Sequence, residues 1–313
     1  MKFLITSFGS FSAECIAKSI KKTPNTQIIA CDIHDANYLP GSEHSDIILK
    51  APHSSEKLKY LDFLIRTIDD QKIKFILPLT DIDVDFLSQH RSVIETQGAV
   101  ICTPNDKSIA LCRDKFIWAE MLRKSGFNTI PSIAKDELLT ALPPIAAKPR
   151  NGRSSQGFII LDNLQSIIWA SENEKFENYL FQPYLSGKHH VVDAVRDSFG
   201  NSVTVCREEV IRTANGAGLS VIVKENIELS QTTKRVLDIL NIQGAVNIEY
   251  LEHNDIYYIM DINPRPSAGI EFSVLSGIDI PKYHIECFQG KKIPSEIQYP
   301  SKKFKTIYQR ILA

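Results

Sequence analysis

The sequence of 313 residues has no excess of charge of either sign and no long apolar run. Its formal net charge is −1 at pH 7, which gives no reason to expect a nucleic-acid or membrane-surface partner. No apolar run approaches the length of a membrane-spanning helix. The opening residues MKFLITSF are typical of a short strand rather than a signal peptide. We therefore expect a cytoplasmic protein without a membrane partner.

The six cysteines include no CxxC pair and are scattered along the chain. A zinc site is therefore not expected. Cys15, Cys31 and Cys206 lie in apolar segments, where a buried free thiol is the usual state. This pattern predicts a reducing compartment and no disulfides.

Two common nucleotide-binding fingerprints are also missing. The turn Ser7–Ser12 follows the first predicted strand but contains only Gly9, so the GxGxxG pattern is not met. The P-loop pattern GxxxxGK[ST] is absent as well. Asp32, at the end of the second predicted strand, stands where a ribose-binding acid would, which keeps a dinucleotide-dependent oxidoreductase open as an alternative. A further reading is that this turn and residues 80–81 line a substrate pocket, since open α/β sheets bind ligands at the carboxyl ends of their strands.

The first hundred residues alternate between strand and helix patterns, which predicts a parallel sheet. A boundary is expected near Thr103–Asp106, with Asp106 capping one helix that contains Lys115 and ends before Gly126. The predicted strands are Lys2–Thr6, Gln27–Asp32, Phe75–Pro78 and Ala99–Cys102, and the predicted helices are Ser12–Lys22, Glu56–Gln71 and Asp83–Glu95.

The middle of the chain indicates phosphate binding. A short apolar strand ends at Lys148 and runs into RNGRSSQG, a loop with Ser154, Ser155 and two arginines. Such a loop offers backbone N–H groups and hydroxyls at low steric cost, as a lid over a polyphosphate would. An ordinary flexible hairpin is the alternative.

The next strand, Tyr179–Tyr184, is apolar and has a backbone edge that could hydrogen-bond a planar base. His189 and His190 follow and point to opposite faces of a strand, with solvent-facing side chains as the alternative. Arg207 and Arg212 are natural partners for a carboxylate or phosphate.

The stretch Gly244–Arg265 predicts a β-hairpin that turns at residues 253–255. In that hairpin Glu249 lies opposite Asp261, and like charges in direct register repel. A divalent cation would remove the repulsion, and carboxylate oxygens are ligands for Mg²⁺. Strict alternation would place Ile259 on the same face as Asp261. A solvated polar face is the alternative reading.

The motif Met260-Asp261-Ile262-Asn263-Pro264-Arg265-Pro266 resembles the E-x-N-P-R signature of the ATP-grasp superfamily. The likeness is nearest to the branch of the carbamoyl-phosphate synthase large subunit and biotin carboxylase, and it covers almost the whole chain. It implies a mixed α/β and α+β protein. A pre-ATP-grasp, Rossmann-like α/β domain (1–104) would precede a two-lobed ATP-grasp domain (105–295, with a lid lobe at about 125–185) and a C-terminal extension (296–313).

The resemblance also implies roles for individual residues. Asp261 departs from the family pattern by replacing its usual glutamate, and the loop after Lys148 is poor in glycine. The resemblance implies that two Mg²⁺ ions are bound by Glu249, Asp261 and Asn263, and that the ATP phosphates are bound by Lys115, Lys148, Ser154 and Ser155. It implies that adenine is bound by Gln182, Pro183, Tyr184 and Leu185, and ribose by His189 or, by a one-residue shift, His190. It also implies that Arg265 and Lys148 are catalytic and that Arg207 and Arg212 bind the substrate.

The expected activity is an ATP-dependent carboxylate–amine ligase that works through an acyl-phosphate and releases ADP and phosphate. Its substrates would be a small carboxylate and a small amine, and its state a monomer or homodimer. One alternative is a carbamoyl-phosphate-synthase-like or carboxylase-like enzyme that uses bicarbonate or carbamate. Another is an ATP-binding sensor without turnover.

Overall fold

The computed structural model describes residues 1–153, 156–213 and 216–305. Its strands form three sheets, five-stranded, six-stranded and three-stranded. The strands are β1 (Lys2–Thr6), β2 (Gln27–Asp32), β3 (Ile47–Lys50), β4 (Phe75–Pro78), β5 (Val100–Ile101), β6 (Ile145–Pro149), β7 (Ile159–Leu161), β8 (Tyr179–Pro183), β9 (Lys188–Arg196), β10 (Ser202–Arg212), β11 (Gly218–Val223), β12 (Gly244–His253), β13 (Ile256–Asn263) and β14 (Lys302–Lys305).

The α-helices pack on the faces and edges of these sheets. Within the described ranges, no helix is both long and apolar enough to cross a membrane. The helices are α1 (Ala13–Lys21), α2 (Lys57–Gln71), α3 (Asp81–Gln89), α4 (Arg91–Glu95), α5 (Asp106–Arg113), α6 (Lys115–Lys124), α7 (Leu164–Glu172), α8 (Ile227–Ile239), α9 (Ile270–Leu275) and α10 (Ile280–Phe288).

The N-terminal sheet is parallel, with the strand order β3-β2-β1-β4-β5. Its central strands are buried on both faces, which explains their continuous apolar runs. Leu4, Ile29 and Ile76 pack with Leu64 of α2 on one face. The predicted parallel α/β unit is confirmed, but β3 was missed because this short edge strand lies inside a segment rich in polar residues.

The large sheet is antiparallel, with the order β13-β12-β9-β10-β11-β14. One face packs on α8, where Tyr250, Val236 and Leu237 are fully buried. The small sheet, β7-β6-β8, encloses its own core around Phe176 and Phe181. The mixed α/β and α+β fold class is thereby confirmed.

The parallel sheet and the large sheet share an apolar core. Phe3 and Ile16 belong to the same buried cluster as Phe272 and Ile280. β14, in the predicted C-terminal extension, pairs with β11. The domain boundaries at 104, 295 and within the lid lobe stay predictions.

The single helix predicted after residue 105 is wrong. Asp114 has an extended backbone that ends α5, and its carboxylate accepts the N–H groups of Phe116 and Ile117 at the start of α6. The predicted cap at Asp106 is also wrong, because the side chain of Asn105 accepts the N–H of Ser108 instead.

Candidate active site

The β12–β13 hairpin brings two carboxylates together. Glu249 pairs with Asp261 in the register that the sequence predicts. Asn254 and Asp255 both have positive φ, 50° and 60°, as a tight two-residue hairpin turn requires.

A β-bulge at Met260 changes the faces of the second strand. Tyr250 pairs with Ile259 whereas Glu249 pairs with Asp261, so Met260 is the extra residue. The expectation that Ile259 shares a face with Asp261 is therefore wrong. Ile259 packs in the core beneath α8, and Met260 and Asp261 both line the open side.

The two carboxylates form a site suited to a cation. Burial raises the pKa of Glu249, and the charge of Asp261 raises it further. Each carboxylate already attracts a positive side chain: Arg212 donates to Glu249 at 2.9 Å, and the Lys115 ammonium lies 2.9 Å from Asp261. The neighbouring Asn263 amide donates to Asn247 at 3.2 Å. This set of hard oxygen donors fits Mg²⁺.

A cavity of about 430 Å³ opens between the small sheet and the large sheet. We call it the nucleotide cleft because most of the predicted ATP-binding residues line it. Ser154 and Ser155 lie outside the described residues. The predicted residues on its walls are Lys115, Lys148, Gln182, Pro183, Tyr184, Leu185 and His189.

Two lysines project into the nucleotide cleft from different elements. The Lys148 ammonium, at the end of β6, lies 3.4 Å from the Met260 carbonyl. Burial is the main cause that lowers the pKa of Lys148 to about 8. Lys115 donates to the Gly152 carbonyl at 2.9 Å, which ties the start of α6 to the loop after β6. The two ammonium groups thus stand beside the acidic pair, where a triphosphate would need positive charge.

Residues 184–187, which connect β8 of the small sheet to β9 of the large sheet, are held by close backbone packing. A Cβ built on Gly187 would lie 2.0 Å from the Glu252 carbonyl oxygen, so only glycine fits there. Tyr184 donates its N–H to the Pro144 carbonyl, and the Gln182 amide donates to the Ile130 carbonyl at 2.6 Å.

The two adjacent histidines point to opposite faces, as predicted. His189 lines the nucleotide cleft, 2.9 Å from an Arg212 nitrogen. Burial, and then the charge of Arg212, lowers the pKa of His189 to about 4, so its ring is neutral at pH 7. His190 lies 2.7 Å from Glu252 on the helix-covered face and packs edge-on against Tyr257. Of the two histidines, His189 is the one that lines the nucleotide cleft.

A second cavity, of about 420 Å³, lies between the parallel sheet and the large sheet. The loops 9–12 and 79–82 form one wall, and residues 263–269 form another. Glu249 and Asp261 line both this cavity and the nucleotide cleft. We call it the acceptor cavity, since a second reactant there would meet the nucleotide at the two carboxylates.

The two predicted substrate arginines lie on different sides of the site. Arg207 lines the acceptor cavity, is 3% exposed, and donates to Asp193 at 2.6 Å and to Glu209 at 3.3 Å. Arg212 lines the nucleotide cleft. Sequence reasoning missed Asp193 and Glu209, because an acid alternating with apolar residues in a strand gives no sign of its partner.

Arg265 is held by the N-terminal unit rather than standing free in the site. Its guanidinium donates twice to the Asp81 carboxylate, at 3.0 and 2.9 Å. Arg113 donates to the same carboxylate at 2.8 Å. Burial opposes ionisation of Asp81, but Arg265 and then Arg113 hold its pKa well below the usual range. Asp81 thus fixes the signature arginine at the wall of the acceptor cavity.

Asp32 serves the local fold. Its two carboxylate oxygens accept the N–H groups of Gly9 at 2.8 Å and His34 at 3.0 Å. The first contact ties the loop after β1 to the end of β2, and the second is local to the turn after β2.

Comparisons of the sequence with known proteins identify similar proteins. A family described as "ATP-grasp in the biosynthetic pathway with Ter operon" matches residues 175–310. The carbamoyl phosphate synthase large chain of Caldanaerobacter subterraneus is 25% identical over 207 residues, which are 60% of this chain and 19% of that protein. The chain thus spans about a fifth of the length of this relative.

Solved structures share the fold. Biotin carboxylase from Campylobacter jejuni, solved as a β,γ-ATP complex, has a TM-score of 0.76 at 20% identity and covers 94% of this chain and 72% of its own. The biotin carboxylase domain of the Hydrogenobacter thermophilus 2-oxoglutarate carboxylase, solved with MgADP and bicarbonate, also scores 0.76, at 17% identity over 93% of this chain and 70% of its own. Residues 175–310 thus match an ATP-grasp family, and the chain is similar in sequence to the carbamoyl phosphate synthase large chain and in fold to biotin carboxylase.

Proposed function

We propose that this protein is an ATP-dependent carboxylate–amine ligase that forms an acyl-phosphate and releases ADP and phosphate. The observation that carries the proposal is that the nucleotide cleft and the acceptor cavity share Glu249 and Asp261. A carboxylate in the acceptor cavity would meet the terminal phosphate of ATP at that point. An amine entering the same cavity would then attack the activated acyl group.

Positive side chains on both sides of the junction fit this chemistry. Phosphoryl transfer depends mainly on positioning and on neutralising charge, so no protein nucleophile is needed. Lys115 and Lys148 would hold the phosphates on the cleft side. Arg265, oriented by Asp81, would face the reacting group from the acceptor side. His189 and the backbone of residues 183–185 would contact ribose and adenine.

Glu249, Asp261 and Asn263 would hold Mg²⁺. When bound, the ion would neutralise the phosphate oxygens. The two carboxylates fit this role because each is opposed to the other in register and burial already raises the pKa of Glu249. We further propose that the site holds two Mg²⁺ ions and that the protein is a cytoplasmic monomer or homodimer.

The experiment is a screen for ADP release from ATP and Mg²⁺ over amino acids combined in pairs with small carboxylates. A ligase releases ADP only when a carboxylate and an amine are both present. ADP release that no acceptor changes would contradict the ligase, and ATP binding without release across the whole screen would favour an ATP-binding sensor.

Arg265→Ala tests the assigned arginine within the same assay. Removal of one charge-stabilising donor lowers the rate by ~100-fold or more, with ATP affinity near that of the parent. Arg66→Ala is the matched control, because Arg66 is exposed and pairs only with Asp62 among the described residues. Full turnover by Arg265→Ala would show that this assignment is wrong.

A second candidate uses bicarbonate in place of a larger carboxylate. The homology to carbamoyl phosphate synthase and the fold shared with a bicarbonate-bound biotin carboxylase favour it. ADP release that depends on bicarbonate alone would identify this alternative.

A further inference from the structure

A third cavity, of about 350 Å³, lies at the carboxyl edge of the parallel sheet, and the proposed function assigns it no role. It spans the ends of β1, β2, β3 and β4. The sheet order β3-β2-β1-β4-β5 places the reversal of winding between β1 and β4. Open α/β sheets bind ligands at this point because the loops on either side of it diverge and leave a crevice. We call this cavity the switch-point groove.

The switch-point groove is continuous with the acceptor cavity. Gly9, Ser10, Thr80 and Ile82 line both. The acceptor cavity ends at the paired carboxylates and the groove continues away from them, so a molecule that reacts there could extend a second end into the groove.

The walls of the groove favour a positively charged, donor-rich group. Asp32 and Asp83 both line it, whereas no lysine or arginine does among the residues that the structure describes there. Asp83 is 3% exposed and accepts the hydroxyls of Thr6 at 2.7 Å, Ser7 at 2.5 Å and Tyr60 at 3.0 Å. The other polar side chains that line the groove include His34, His53 and Ser54. An anionic tail would meet these two carboxyl groups, with no lysine or arginine beside them among the described residues of the groove.

We propose that the switch-point groove binds the far end of the amine substrate, and that this end carries an alkylammonium or a similar cation. The proposal rests on the ligase function, because it places the reacting end of the same molecule in the acceptor cavity. It narrows the acceptor class to compounds with a second basic group.

The test measures binding without turnover. The full-length protein is saturated with ADP and Mg²⁺ and titrated calorimetrically with 1,4-diaminobutane, butylamine and 4-aminobutanoate. These three compounds share a four-carbon chain and differ in the charge at the far end. The expected affinity for the diamine is about tenfold above that for each of the others, as for one partly buried charge contact.

Two matched pairs of variants locate the effect. Asp32→Asn removes a wall charge but keeps an oxygen for the Gly9 N–H, whereas Asp35→Asn changes an exposed acid outside the groove. Ser54→Phe fills the groove, whereas Ser55→Phe places the same bulk on an exposed neighbour outside it. Asp32→Asn and Ser54→Phe should remove the preference for the diamine, and the two controls should keep it.

Equal binding of the three compounds to the parent protein would overturn the proposal. So would a preference that survives in Ser54→Phe. Because no turnover is involved, a protein that shows the groove preference but releases no ADP with any acceptor keeps the groove and loses the ligase function. A protein that releases ADP but binds the three compounds equally keeps the ligase function and loses the groove proposal.

Discussion

Replacement of Asp81 by asparagine should lower the stability of the folded protein, because it leaves two arginines without their shared carboxylate. Asp81 is 6% exposed and accepts two hydrogen bonds from Arg265 and one from Arg113. Removing one partner of a buried ion pair typically costs 3–5 kcal/mol because the other charge is left uncompensated. Arg113 retains Asp85 at 2.6 Å, and both arginines are partly exposed, so we expect about 2–3 kcal/mol, below that range.

The assay is urea unfolding at pH 7, followed by the fluorescence of the two tryptophans. Asp69→Asn is the control, since Asp69 and its partner Lys72 are both exposed, and it should change the free energy of unfolding by less than about 0.5 kcal/mol. The double variant Asp81→Asn/Arg265→Gln should cost less than the sum of the single variants, because the second change removes the stranded charge.

The pH dependence has a fixed sign. The pKa of Asp81 is lower in the folded than in the unfolded protein. Its ion pairs therefore contribute to stability above the unfolded pKa of about 3.9, and this contribution is lost as the pH falls below that pKa. The difference between parent and Asp81→Asn should therefore shrink at acid pH. An Asp81→Asn protein within about 0.5 kcal/mol of the parent at pH 7, with additive double-variant costs, would refute the buried network.

Three further predictions concern the cleft and the core. Lys148→Met should weaken ATP binding by calorimetry about 10–100-fold, as for a lost charged hydrogen bond, whereas exposed Lys124→Met should not; equal affinities would remove Lys148 from the phosphate site. Gly187→Ala should destabilise the protein by about 1–3 kcal/mol in urea, because its Cβ would overlap the Glu252 carbonyl; unchanged stability and ATP affinity would contradict that packing. Desolvation lowers the pKa of buried His284 to about 4, so the free energy of unfolding should rise by up to about 3 kcal/mol between pH 4 and 6.5. His284→Asn keeps an acceptor for a β12 N–H and should flatten that rise. An unchanged slope in this variant would show that another group causes the pH dependence.

The sequence predicts the site best where local rules decide. Period-two alternation and a tight turn place Glu249 opposite Asp261, and the apolar strand before Lys148 predicts β6. Strand periodicity separates His189 from His190. The sequence does not predict the bulge at Met260, because the bulge depends on packing beneath α8 and no local pattern shows that packing.

Long-range partners are what the sequence leaves out. Arg265 and Asp81 are 184 residues apart, and nothing near either residue indicates the other. The same holds for Arg207, whose partner Asp193 lies on the neighbouring strand β9. The loop 7–12 and residues 80–81 do line a cavity, as one sequence reading predicts, because parallel strands deliver their carboxyl ends to one edge.

Binding of Mn²⁺–ADP tests most directly whether the paired carboxylates hold the metal–nucleotide complex. Proton-relaxation titrations would compare the parent with Asp261→Asn and with Asp255→Asn, an exposed acid in the turn of the same hairpin. We expect Asp261→Asn to weaken Mn²⁺–ADP binding by about tenfold or more, the effect of a lost charged contact, while ADP without metal binds no more weakly than to the parent and Asp255→Asn behaves as the parent. Parent-like affinity for Mn²⁺–ADP in Asp261→Asn would contradict the account.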